Sequence, residues 1–149
     1  MKYIKEYKLF ERCGDNIEND QHLELLNDLS LDIKDLGFEV GVKGYESYTE
    51  GYNMYDIIFK SKDNYSIHEV GIDNISELDI MYKKVDKINK LNSECLNLIK
   101  RSIDNGLYLC SYEITIKSDL FCFIRFTCKD DGSPVEDGFR YFSEDEEDF

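Results

Sequence analysis

The sequence predicts an α+β domain, with helices packed on one face of an antiparallel sheet. Two patterns carry that prediction. Leu26, Leu29, Ile33 and Leu36 recur at 3–4–3 spacing, end at Gly37, and are followed at once by the alternation of Phe38, Val40 and Val42. Leu78, Met81, Val85, Ile88, Cys95 and Ile99 form a longer stripe, end at Gly106, and lead into the alternation of Cys110, Tyr112, Ile114 and Ile116. A third observation bounds the domain count. At 149 residues with a single proline, Pro134, and no Gly/Ser-rich linker, residues 1–128 read as one domain followed by an acidic segment, 129–149.

The elements follow in order. Residues 2–11 read as a strand or a short helix, and residues 12–20 as a polar turn region. Asn19 or Asp20 supplies a helix cap, and the first helix covers about 20–36. Strands are predicted at 38–44, 54–61 and 65–72, forming a meander, with a tyrosine-rich loop from Gly44 to Asn53. The second helix covers about 75–105, roughly 45 Å at ~1.5 Å per residue, with Asn92-Ser93 as a candidate joint. Strands at 109–117 and 121–128 close the domain. Two arrangements fit this order: a degenerate αββ repeat, or the strand and helix order of an oligonucleotide-binding (OB) barrel.

Charge is the outlier. Acidic residues exceed basic ones by 14, and the segment 129–149 holds nine acidic and two basic residues. Neutralising nucleic-acid phosphates needs clustered Lys and Arg, so this balance argues against a large nucleic-acid footprint or an anionic membrane surface. It favours a basic protein surface as partner, with long-range attraction speeding the encounter. Five cysteines, an odd number without C-x-x-C, read as structural thiols of a reducing compartment. No apolar run reaches the ~18 residues of a membrane span, and residues 1–12 lack a signal-peptide pattern. The cytoplasm is the expected location, the host's if the gene is viral. The Asn, Lys, Ile and Asp bias fits an AT-rich genome of the kind many phages carry.

Catalytic patterns are missing from the sequence. His22 and His68 have no Ser, Cys or Asp at a telling spacing and read as surface or filler residues. Asp130-Asp131-Gly132 and Glu136-Asp137-Gly138 miss the alternate-oxygen register of a calcium loop. The expectation is therefore no enzyme, no metal and no cofactor. A carboxylate pair such as Glu69 and Asp73 with a metal is the enzymatic alternative.

Partner binding falls to two segments. The loop from Tyr45 to Asp56 interleaves four tyrosines with three carboxylates, and Tyr48, Glu50 and Tyr52 are its candidate contacts. Tyrosine gives large contact area for few frozen rotors, and carboxylates accept bonds from Arg and Lys. The last six residues, Glu144, Asp145, Glu146, Glu147, Asp148 and Phe149, are five acids and an aromatic. This ending resembles the acidic, phenylalanine-terminated tails of single-stranded DNA-binding proteins, which dock in basic-rimmed pockets of replication enzymes. That resemblance implies an OB-fold with a basic aromatic groove, whereas residues 107–128 hold Glu113, Lys117, Asp119 and Arg125 and are net neutral. Size and charge also resemble small phage anti-defence inhibitors that mimic DNA, and toxin-neutralising immunity proteins. The first reading is thus a non-enzymatic acidic inhibitor, encoded by a phage or mobile element, that occupies a basic surface of a partner protein. The alternative is a single-stranded DNA-binding protein with a recruiting tail. A homodimer is compatible with either.

Overall fold

A computed structural model describes residues 16–17, 20–61, 75–116 and 119–141. In chain order these form β1 (Asn16–Ile17), α1 (Gln21–Asp35), β2 (Phe38–Glu46), β3 (Tyr52–Ser61), α2 (Ile75–Asp104), β4 (Tyr108–Ile116) and β5 (Leu120–Lys129). The five strands make one sheet in the order β1-β2-β3-β5-β4, with every neighbouring pair antiparallel. The α+β class is as the periodicity predicts. The predicted strand 65–72 and residues 2–11 lie outside the described residues.

Asp20 caps α1 by accepting from the His22 amide at 2.7 Å. Its other carboxylate oxygen takes the Tyr55 hydroxyl, so the cap also ties the helix start to the middle of β3. Both helices end on a glycine with positive φ, Gly37 at 98° and Gly106 at 93°. At the end of α2 the Gly106 amide donates to the Ile103 carbonyl and the Leu107 amide to the Ser102 carbonyl, a Schellman closure that delivers Leu107 to the core. A β-carbon on Gly106 would stand 3.1 Å from Pro134 Cγ. Gly106→Ala combines that crowding with an unfavourable φ, and it should destabilise the fold by about 1–2 kcal/mol, read as a lowered melting temperature.

One face of the sheet receives both helices. Tyr55, Ile57 and Phe59 of β3 and Leu120, Cys122, Ile124, Phe126 and Cys128 of β5 point into a core shared with Leu26 and Ile33 of α1 and Leu91, Cys95, Leu98 and Ile99 of α2. Each helix carries a serine in its buried stripe, Ser30 bonding the Leu26 carbonyl at 2.6 Å and Ser102 the Leu98 carbonyl at 2.7 Å. Back-bonding to the residue four earlier satisfies these hydroxyls without a partner from the sheet. Cys95 and Cys122 bring their Sγ atoms to 3.8 Å across the helix–sheet boundary, as reduced thiols.

The helix–strand–strand unit occurs twice, α1-β2-β3 and α2-β4-β5, and the second strand of each unit meets the other at the sheet centre. That arrangement does not by itself establish a sequence repeat. A closed OB-type barrel is not formed among the described residues, since β1 and β4 stand at opposite ends of the strand order. α2 runs unbroken through Asn92-Ser93, where Asn92 Oδ1 accepts the Tyr112 hydroxyl at 2.7 Å. No helix among the described residues is long and apolar enough to cross a membrane.

The strand ends beside the tyrosine-rich loop differ from the sequence reading. β2 continues to Glu46 and β3 begins at Tyr52, so the tyrosine-rich loop shrinks to Ser47–Gly51. Tyr45 and Tyr52 are strand residues, paired in register with Met54 and Lys129. β5 is buried on both faces rather than alternating, and Phe121 and Phe123 lie on the side away from the helices. β5 lies between β3 and β4 in the strand order, which protects its backbone, and its second face holds the ion pair described below.

Candidate functional site

The sheet face away from the helices contains an ion pair at its centre. Asp56 of β3 and Arg125 of β5 are cross-strand partners and are 1% and 7% exposed. The guanidinium grips the carboxylate with two bonds, Nε to Oδ1 at 2.8 Å and Nη2 to Oδ2 at 3.1 Å. Tyr45 donates its hydroxyl to Oδ2 at 2.9 Å. Arg125 also stacks on Phe123 at 5.0 Å and donates from Nη1 to the Tyr141 hydroxyl at 3.0 Å. Burial works against the Arg125 charge, but the Asp56 bonds and field outweigh it and hold the guanidinium above its ordinary range.

Tyr141 belongs to a strap, residues 130–141, that follows β5 and lies along the body. Lys129 and Ser133 close its turn through an amide–carbonyl bond of 2.9 Å, with Gly132 at φ 87°. Asp131 Oδ1 accepts both the amide and the hydroxyl of Ser133, which holds its carboxyl below the usual range. His22 Nε2 meets the Gly132 carbonyl at 2.9 Å, so the ring donates there, and His22 is buried. The surface or filler reading of His22 is thereby corrected: this histidine clamps the strap to α1. Further along, Phe139 packs against Tyr52 at 5.1 Å and edge-on against Tyr108 at 5.0 Å between ring centroids. The first part of the acidic segment 129–149 is thus fastened to the body as far as Tyr141.

The strap also braces the β2–β3 loop. The Ser47 amide donates to the Tyr52 carbonyl at 3.0 Å, the Thr49 amide to Ser47 Oγ at 3.1 Å, and the Asp130 amide to the Gly51 carbonyl at 2.9 Å. Gly51, at φ 95°, permits the turn that presents its carbonyl to the strap. Tyr52 donates its hydroxyl to Glu136 Oε1. This bond raises the Tyr52 pKa and lowers that of Glu136.

The predicted contact residues now separate. Tyr48 stands at the loop tip with 57% of its surface exposed, and Glu50 beside it is exposed. Tyr52 is turned back onto Phe139 and Glu136, so it supports the loop rather than projecting from it. Glu144, Asp145, Glu146, Glu147, Asp148 and Phe149 lie outside the described residues. The structure brings the loop and the strap together at one end of the sheet, where Glu46, Glu50, Asp130, Asp131, Glu136 and Asp137 are all exposed. Lys129 and Arg140 are the cations in these same segments. Phe139 and Tyr141, aromatics that stand among the acids in the sequence, are turned onto the body: Phe139 packs on Tyr52 and Tyr108, and Tyr141 accepts from Arg125.

Chemically the site offers acceptors and aromatic surface, not an activated nucleophile. Burial pushes the Cys110 thiol up to about 12 and the Cys128 thiol up to about 11, so both are protonated at neutral pH. Among the described residues no three His, Cys, Asp or Glu side chains are grouped to hold a metal ion. Glu69, Asp73 and His68 lie outside them. Comparison with protein-family models, curated proteins and solved structures found no match to the chain.

Proposed function

We propose that this protein is a non-enzymatic acidic binding module that occupies a basic surface of a partner protein, as a phage or mobile-element inhibitor of the DNA-mimicking kind would. The observation that carries the reading is the braced loop end: an exposed tyrosine set among six exposed carboxylates, in a loop held by its own bonds and by one backbone and one side-chain bond with the strap. A loop fixed before binding loses little entropy on docking, which favours a recognition role over simple solubility. The carboxylates steer the encounter and pair with Arg or Lys, and Tyr48 supplies contact area. The acidic ending Glu144 to Phe149 extends the same chemistry to a basic pocket with an apolar floor. The cytoplasm, the host's for a viral gene, follows as the place where such a partner is met.

The test is capture from a bacterial lysate with the full chain as bait at low salt, followed by titration of each captured protein. Affinity for a true partner should fall more than about tenfold between about 0.05 and 0.5 M salt, because exposed charges are screened within ~10 Å. Tyr48→Ala combined with Glu50→Lys should weaken it by a further factor of about ten or more while leaving the melting temperature unchanged. A partner indifferent to both salt and these substitutions would refute the reading. Tight binding of single-stranded oligo-dT in a gel shift would replace it with the DNA-binding alternative.

A further inference from the structure

Among the described residues of α2 the buried ones, Leu91, Cys95, Leu98, Ile99 and Ser102, all fall in the C-terminal half. A second apolar stripe lies roughly a third of a turn away, on the solvent side: Leu78, Tyr82, Val85, Leu96 and Ile103, each between 43% and 72% exposed. These positions recur at spacings of four, three, eleven and seven residues, all close to whole turns, so they share one face of the helix in two apolar patches. Asn89 and Asn92 occupy the middle of that face.

We propose that a second copy of this chain docks along this stripe, with the two α2 helices antiparallel. The stripe is complementary to itself read backwards. Leu78 comes opposite Ile103 of the second copy, Val85 opposite Leu96, and the two asparagines opposite each other at the centre. Asn92 Oδ1 is already committed to Tyr112, which leaves its amide group as a donor to the facing Asn89. Charge supports the same alignment. Asp79 and Lys100 lie on the same flank of the stripe near its two ends, and both are exposed. Antiparallel pairing keeps this flank of both helices on one side of the seam and sets each residue beside the opposite charge of the other copy, whereas parallel pairing would put the two flanks on opposite sides of the seam. A central polar pair at an otherwise apolar seam fixes one register. Residues 78–90 hold four lysines and two aspartates, so this segment does not share the negative charge of the whole chain.

This dimer has a salt dependence opposite in sign to that of the proposed partner complex. Its seam is apolar while the two bodies repel, so added salt screens the repulsion and tightens it. Sedimentation equilibrium of the full chain over a concentration series, at about 0.15 and 0.5 M salt, reads both quantities. The expected result is a reversible dimer of the 17.6 kDa chain that strengthens with salt. Val85→Asp combined with Leu96→Asp should weaken it at least about tenfold with unchanged circular dichroism, since both side chains are exposed. Lys100→Asp should weaken it by itself, and adding Asp79→Lys to that variant should restore it. A monomer at every concentration, a dimer unaffected by Val85→Asp with Leu96→Asp, or a charge swap that fails to restore would each overturn the proposal. A monomer that still binds its partner in a salt-sensitive way would leave the functional reading standing.

Discussion

Replacing Asp56 with alanine should lower the unfolding free energy by about 3–5 kcal/mol, seen as a shift of the urea midpoint at unchanged slope. The carboxylate is 1% exposed and accepts two bonds from Arg125 and one from Tyr45. Its removal leaves a buried guanidinium with no counter-charge and a buried tyrosine hydroxyl without its acceptor. The loss is therefore larger than the worth of the pair itself, because desolvation of Arg125 is no longer offset. A double variant, Asp56→Leu with Arg125→Met, separates the two quantities. Replacing both charges with apolar side chains should recover most of the lost stability. If the single variant melts like the parent, the pair is solvated in solution and the buried geometry is wrong.

Phe59→Ala should cost about 3–5 kcal/mol by a different mechanism. Phe59 is fully buried on the helix-facing side, between its cross-strand neighbours Val40 and Cys122. Truncation removes the ring's transfer energy and opens a cavity beneath both helices that the sheet cannot close, because β3 is hydrogen-bonded on both edges. Phe59→Leu fills most of that space and should recover more than half of the loss. Calorimetric melting of the three proteins checks the order. An equal loss in the alanine and leucine variants would mean that the cavity contributes nothing and that ring-specific contacts dominate.

Much of this fold is legible in the sequence where a period repeats often enough. The stripe from Leu26 to Leu36 and the alternation from Tyr55 to Phe59 each specify an element and its buried side. Gly37 and Gly106 mark the helix ends because a left-handed residue is needed there. The strand ends were harder to read. Gly44 and Tyr45 look like loop residues, yet the ladder continues through them, and the Tyr45 hydroxyl finds its acceptor only once β2 is registered against β3. The Asp56–Arg125 pair is 69 residues apart in the chain and becomes visible only from the cross-strand register. Period also fails to show which apolar residues are covered: Leu78 and Val85 read as one series with Cys95 and Ile99, yet they lie round toward solvent, in line with the exposed Leu96 and Ile103. The loop tip was legible as a tyrosine and a carboxylate in a turn. Its bracing was not, since Phe139 and Glu136 come from a segment whose composition reads as solvated.

The position of β3 at the middle of the sheet has a consequence for synthesis. The β2–β3 hairpin is a local unit that can zip as it leaves the ribosome, but Ile57 must wait for Ile124, made after the whole of α2. During that interval the second edge of β3 is an open template of unpaired amides and carbonyls bearing Tyr55, Ile57 and Phe59. The nascent chain is at its most aggregation-prone then, and the delay is set by the translation of some 60 residues at ~5–20 per second rather than by any barrier within the finished domain.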